Sequence, residues 1–310
     1  MPNRTAVSEI VLVGFPGVPE YFNSFLSAIF FLVYTVSLMA NGIVMILVTF
    51  STHLHQPMYL VIANLAASDL LFDTVTLPKL LAKYWFDDSN MTVSVCIFQM
   101  FCVHYFGTQD SYLLLLMAID RYIAICQPLR YAFMMNVEFM IMACGLCWVI
   151  LAPPTVITVA VRISTIPLCG QNINSLFCTH STISALSCTD VSSLRVTAFT
   201  LALVVLLGCL ALIIVSYILI VKEISSSTSA ENWQKAFYTC ATHLLVIALY
   251  FIPRVFVYIV TYIPLITIKS SINILLLALY TFVPHVASPI IYFLRTKKIA
   301  QTLRIVFRKK

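Results

Sequence analysis

The chain of 310 residues is 61% hydrophobic and only 10% charged, with a mean hydropathy of +0.98, against about 45–50% apolar and about 25% charged in a soluble globular protein. This composition marks a membrane protein and excludes a water-soluble domain, a disordered or collagen-like chain, a coiled coil and a nucleic-acid module. The net charge of +6 does not point to nucleic acid, because seven of the eighteen Lys and Arg residues fall in the last sixteen positions, as befits a basic tail on an anionic inner leaflet.

In chain order, residues 1–20 lack the basic start and apolar core of a cleavable signal, so the first span is expected to serve as its own insertion signal. The apolar stretch 21–68 is too long for one crossing, which takes about 20 residues. His53, His55, Gln56 and Pro57 break it into spans at 23–50 and 57–81. The third span, 93–126, tolerates Asp110 in its interior, and 139–161, 196–222, 234–262 and 270–294 follow, leaving 295–310 as a tail. Residues 1–310 thus form a single unit, an all-α membrane protein with a seven-transmembrane helix bundle and short loops.

The positive-inside bias sets the orientation. The tail with Arg121, Arg130, Lys222 and Lys235 places eleven basic residues on one side. The other side has six: Arg4, Lys79, Lys83, Arg162, Arg195 and Lys269. Arg254 stays inside a span. The N-terminus is therefore expected to be extracellular and the tail cytosolic, ending in a short amphipathic helix on the membrane lipids. Asn3-Arg4-Thr5 and Asn90-Met91-Thr92 are N-glycosylation acceptors of the N-x-[ST] type, at Asn3 and Asn90, and both fall on the outer side.

Six of the ten cysteines, Cys102, Cys126, Cys144, Cys147, Cys209 and Cys240, fall in or at the ends of spans, where a thiol is a small apolar filler. Cys96, Cys169, Cys178 and Cys188 lie outside, where oxidation is permitted. Four cysteines allow three pairings, and spacing does not choose among them. Zinc ligation is the weaker alternative, since His180 alone is close to them.

The third span ends in Met117-Ala118-Ile119-Asp120-Arg121-Tyr122-Ile123-Ala124-Ile125-Cys126-Gln127-Pro128-Leu129-Arg130-Tyr131. This string resembles the M-A-x-D-R-Y-V-A-I-C-x-P-L-R-Y signature of vertebrate odorant receptors, within the rhodopsin-like G-protein-coupled receptors. Leu54-His55-Gln56-Pro57-Met58-Tyr59 is similar to their first inner loop. Lys235-Ala236-Phe237-Tyr238-Thr239-Cys240 with His243 is similar to the start of their sixth span, and Ser216-Tyr217 to the inner end of the fifth. Pro289-Ile290-Ile291-Tyr292 resembles the end of the seventh, with Ser288 standing where the family has Asn, and Ala40 precedes Asn41 where the family commonly has Gly. His104 and the Gln99-Met100-Phe101 stretch, with the long second outer loop, look most like the fish-like class I receptors.

The resemblance implies disulfides Cys96 to Cys178 and Cys169 to Cys188. It also implies a plasma-membrane receptor, in olfactory sensory neuron cilia, that binds a small odorant and activates a stimulatory olfactory heterotrimeric G protein to raise cyclic AMP. Asp120, Arg121 and Tyr122 carry the G-protein coupling, Arg121 being a fixed charge with five donors. No nucleophile arrangement, metalloprotease motif or phosphate-cradling loop occurs, so no enzymatic activity and no cofactor are expected.

Ionisable residues within the membrane are costly and are functional candidates. Asp110 and Arg121, eleven residues apart, share one helix face, about 20° apart in direction and about 16 Å along the axis. The resemblance puts Asp69 beside Asp110, where two carboxylates either share a proton or hold a cation. By resemblance that cation is a sodium ion. Arg254 follows Pro253, which removes the hydrogen bond to the Leu249 carbonyl. It is expected to face a cavity or pair with an acid, as the counter-charge of a carboxylic acid or other anionic odorant in a pocket with His104, Phe101, Tyr105, Thr108 and Tyr258. The competing functions are a rhodopsin-like receptor for a metabolite or hormone and a transporter, though the internal repeats of a transporter are not visible.

Overall fold

In the computed structural model the described residues are 7–226, 230–262, 270–295, 299, 301 and 302. Strand β1, Glu9–Leu12, leads into helix α1, Asn23–Phe50, and α2, Pro57–Phe86. Strand β2, Asn90–Thr92, precedes α3, Val93–Cys126, and a short helix α4, Pro128–Met134. Helices α5, Val137–Leu146, and α6, Pro153–Ser164, form one rod joined by a π-helical turn, Cys147–Leu151. Strand β3, Asn172–Ile173, and α7, His180–Ser184, lie in the long outer loop before α8, Ser192–Ser226, α9, Ala230–Tyr262, and α10, Ser270–Arg295.

The result is a seven-helix bundle of α1, α2, α3, the α5–α6 rod, α8, α9 and α10. Six of these are long and apolar enough to cross a bilayer. The other, α3, runs 34 residues, about 51 Å at 1.5 Å per residue, and turns Gln99, Gln109, Asp110, Ser111 and Asp120 into the bundle.

In hydrocarbon nothing drives large apolar side chains inward, so small and polar residues take the helix contacts. Helix α1 follows this rule in part: Ser27, Ser37, Ala40 and Asn41 are buried beside Phe30, Val44, Leu47 and Val48, while Phe31, Leu32, Met39 and Ile46 face outward. The π-helical turn has a local cause. Pro153 and Pro154 lack N–H groups and a proline ring clashes with the carbonyl four residues back, and the turn widens so that the Ala152 N–H donates to the Cys147 carbonyl at 3.2 Å.

The outer end carries a feature that sequence reading does not anticipate: a three-stranded sheet in the order β2-β1-β3. β1 is antiparallel to β2, with Ile10 opposite Met91, and parallel to β3, with Leu12 opposite Ile173. Its alternating Ile10 and Leu12 are fully buried, the period-two signature of a strand with one covered face. Gly14 follows at φ +72°, where a side chain would meet the Tyr84 hydroxyl at 2.7 Å. Asn90 is exposed in β2, and Thr92 caps α3 by accepting from the Val95 N–H. Asn3 and the end of the tail, where the amphipathic helix is expected, lie outside the described residues.

Candidate ligand cavity and polar core

Two disulfides fasten the long outer loop, Cys96 to Cys178 and Cys169 to Cys188. The first ties the loop to the top of α3, and the Cys178 N–H also donates to Gln99 Oε1 at 2.8 Å. The six cysteines of the spans are free thiols.

Beneath this loop lies a cavity of about 210 Å3, below the about 300–1,000 Å3 of pockets for drug-sized ligands. His104, Gly107, Thr108 and Ser111 line it from α3, spaced to share one face. Arg254 and Tyr258 line it from α9, and Val156 and Val159 from α6. Four of the expected contacts, His104, Thr108, Arg254 and Tyr258, therefore meet in one cavity.

Phe101 and Tyr105 do not line it, which corrects their expected place. Their rings stack at 5.7 Å, and the Tyr105 hydroxyl donates to the Trp148 carbonyl at 2.6 Å. At 100° per residue, Tyr105 follows His104 around the helix toward the α5–α6 rod. His104 itself is engaged: its Nε2 accepts from the His180 N–H at 3.2 Å.

Arg254 both lines the cavity and reaches into the bundle. Its Nη1 donates to the Gly107 carbonyl at 2.6 Å, and Nη2 lies 3.9 Å from Asp110 Oδ2. Gly107 leaves room for this, since a Cβ there would lie 3.3 Å from Nη2. Among the described lining residues Arg254 is the only Lys or Arg.

Below the cavity a buried polar network joins five helices. Asp110 accepts from the Ser68 hydroxyl at 2.6 Å. Asp69 accepts from the Tyr250 hydroxyl on both oxygens, at 2.9 and 2.7 Å, and lies 3.4 Å from His285 Nε2. Ser288, in the position where the resemblance expects Asn, reaches Asp69 at 3.5 Å. The other nitrogen of His285, Nδ1, lies 2.8 Å from Asp73 Oδ1, while Ser37 donates to Asp73 Oδ2 at 2.5 Å. Asn41 Nδ2 donates to the His285 carbonyl at 2.9 Å.

Sequence reading does not single out Asp73, His285 or Tyr250. The signal was present for the first two: each is an ionisable group within an apolar span, and Asp73 lies one turn from Asp69 on the same face.

One ligand atom from each of Asp69, Asp110 and His285 falls within 4.8 Å of the others, a spacing that a metal ion can bridge. The sodium ion expected from the resemblance takes oxygen ligands, which Asp69 and Asp110 offer, while His285 offers a nitrogen; the same carboxylates also accept from Tyr250 and Ser68.

At the inner end, Arg121 Nε and Nη2 both donate to Asp120 Oδ2, the former at 3.0 Å. Asp120 Oδ1 accepts from the Tyr131 hydroxyl of α4 at 2.9 Å. Burial and the Asp120 carboxylate beside it push the Tyr131 phenol well above its ordinary range. Tyr122 is half-buried next to this cluster. Tyr292, fully buried, donates to the Met117 sulfur at 3.3 Å, and His243 Nδ1 also contacts that sulfur.

Residues 30–310 match the family model described as olfactory receptor. The chain is 34% identical over 309 residues to olfactory receptor 1E16 of Mus musculus, covering 99% of this chain and 97% of that protein. It is 33% identical to olfactory receptor-like protein I9 of Rattus norvegicus, with the same coverage, and 32% identical to olfactory receptor 2A12 of Homo sapiens, covering 99% and 98%. The crystal structure of squid rhodopsin superposes with a TM-score of 0.67 at 17% identity, covering 95% of this chain and 87% of that one, which establishes a shared fold. Matched by that family model over residues 30–310 and about a third identical to these receptors along nearly its whole length, the protein belongs to the olfactory receptor family, whose members are multi-pass, non-enzymatic G-protein-coupled receptors.

Proposed function

We propose that the protein is a class I odorant receptor of olfactory cilia that signals through the stimulatory olfactory G protein and cyclic AMP. A small-molecule ligand and a G protein as partners follow from the family; the subclass, the type of G protein and the ligand's chemistry are our reading. The observation that carries the reading is the double engagement of Arg254, which lines the cavity and also meets Gly107 and Asp110.

Two of the guanidinium's five donors suffice for those contacts, leaving others for a ligand carboxylate. A carboxylic acid odorant that draws the guanidinium toward itself weakens its hold on Asp110 and so alters the network of α2, α3, α9 and α10. An odorant shifts the receptor only by its differential affinity for the two states. In the signalling state the inner end of α9 moves outward and Arg121 exchanges Asp120 for the G protein. Glycosylation at Asn90 belongs to the same outer-face reading.

In this reading Arg254 and His285 face the carboxylates of the polar core, and no sodium is needed there. Replacing sodium by choline in the assay medium should then leave the dose response unshifted.

The direct test is a dose response to carboxylic acids for Arg254→Ala in a cyclic AMP reporter cell. The midpoint for acids should rise by tenfold or more, as about 1.5–3 kcal/mol for a charged hydrogen bond implies. An unchanged midpoint for acids discards the counter-charge role.

A further inference from the structure

The roof of the cavity carries two polar atoms that no other described residue engages. Ser175 and His180 both line the cavity and are only 2% and 4% exposed. Ser175 Oγ and His180 Nε2 are buried and, among the described residues, have no hydrogen-bond partner. Their neighbours differ: the hydroxyls of Thr179, Ser181, Thr182 and Ser184 are all bonded within the loop. Buried polar groups are nearly always satisfied, so two orphans beside one cavity require an explanation.

The loop holds both groups in place. The disulfide and the Cys178 N–H bond to Gln99 fix the chain between them, and the His180 N–H is tied to His104. Burial, reinforced by the nearby Arg195, holds the His180 imidazole down at about 4, so the ring is neutral at physiological pH. A neutral imidazole nitrogen donates or accepts according to its tautomer, and a serine hydroxyl does both. Together they suit an uncharged oxygen. An anionic group has its match at Arg254 instead.

We propose that Ser175 and His180 form an outer subsite that hydrogen-bonds a hydroxyl or carbonyl oxygen of the odorant, while its carbon skeleton lies against Val156, Val159 and Leu206. The proposal rests on the reading of the cavity as the odorant site. A pocket that contains buried unpaired donors and acceptors discriminates strongly against analogues lacking the matching group, so the subsite selects oxygenated odorants over hydrocarbons of the same shape.

The experiment uses the full receptor in a cyclic AMP reporter cell, with short linear alcohols, ketones and hydrocarbons of matched length as probes. Ser175→Ala and His180→Leu should each raise the midpoint for active alcohols and ketones by about fivefold to tenfold, the effect of one hydrogen bond. His180→Gln, which keeps a hydrogen-bonding head, should raise it less. Unchanged midpoints for every active probe in both variants, at wild-type surface levels, would overturn the subsite and leave the odorant reading standing. A wild-type receptor silent to every odorant class, acids included, would overturn the odorant reading and the subsite with it. A second readout does not depend on signalling. Ser175→Ala removes a hydroxyl that has no hydrogen-bond partner among the described residues, so the thermal midpoint of the purified ligand-free receptor should not fall; a clear fall would assign Ser175 a structural partner and refute the proposal.

Discussion

Substituting His285 by Ala tests whether the polar core is a network of interdependent charges. Both ring nitrogens of His285 face carboxylates, Asp73 at 2.8 Å and Asp69 at 3.4 Å, in a site that is 2% exposed on the histidine and 0% on either acid. Removing one partner of a buried pair leaves an uncompensated charge and costs about 3–5 kcal/mol. Asp73 retains the Ser37 hydroxyl and Asp69 retains Tyr250, which places His285→Ala toward the lower figure. Asp73→Asn alone should cost less, because the amide still accepts from Ser37. In the double variant both members of the His285–Asp73 contact are gone, so its loss should fall short of the sum of the single losses by about 2 kcal/mol, within the range for directly coupled residues. The assay is thermal unfolding of the purified receptor for the wild type, both single variants and the double variant, with surface expression as a parallel readout. Losses that add to within about 0.5 kcal/mol, the limit for independent sites, would refute the coupling.

Three further outcomes follow from the geometry. Tyr131→Phe removes a hydrogen bond to the Asp120 carboxylate, worth about 1.5 kcal/mol for a charged acceptor; basal cyclic AMP at equal surface expression should rise several-fold, and an unchanged basal level would count against a latch at α4. His180, held near 4 in the folded loop against about 6.5 when unfolded, binds its proton more readily unfolded between those values, so its stability contribution is present above about pH 6.5 and is lost as pH falls toward 4. At pH 5.5 the loss is about 1 kcal/mol, and His180→Gln should flatten the pH dependence of the thermal midpoint over that window; an equally steep dependence in the variant would show that other groups cause it. Gly107→Ala puts a methyl 3.3 Å from the Arg254 guanidinium, which the flexible side chain can absorb, whereas Gly107→Leu should displace Arg254 and abolish the acid response in the reporter assay while alcohol responses survive.

The bundle was legible in the sequence because hydrocarbon imposes a blunt requirement, about 20 apolar residues per crossing, and because the breaks between spans carry the histidines, prolines and charges that meet water. Within the site, Arg254 stood out as a charge in an apolar run, and His104 and Thr108 fall on one face by their spacing. Tyr105 misses by a single step of helical rotation from His104, whereas Phe101 points within about 20° of Thr108 but lies about 10 Å further along the axis toward the outer end, and no apolar pattern fixes either offset when all four residues are half-buried. Asp73 and His285 were readable as intramembrane ionisable groups, but their partnership was not, since it joins residues 212 apart in sequence. The outer sheet was illegible for a physical reason. β1 has four residues and β3 two, too few to display a pattern, and their partners lie in loops far along the chain.

That sheet has a mechanical consequence. β3 ends at Ile173, immediately before Asn174 and Ser175 in the cavity roof, and β1 hydrogen-bonds it to the N-terminal segment while the two disulfides hold the other side. The N-terminal segment and the cavity roof are thus parts of one hydrogen-bonded sheet, so a displacement of Asn174 and Ser175 is coupled to β1 as well as to the disulfide-held loop.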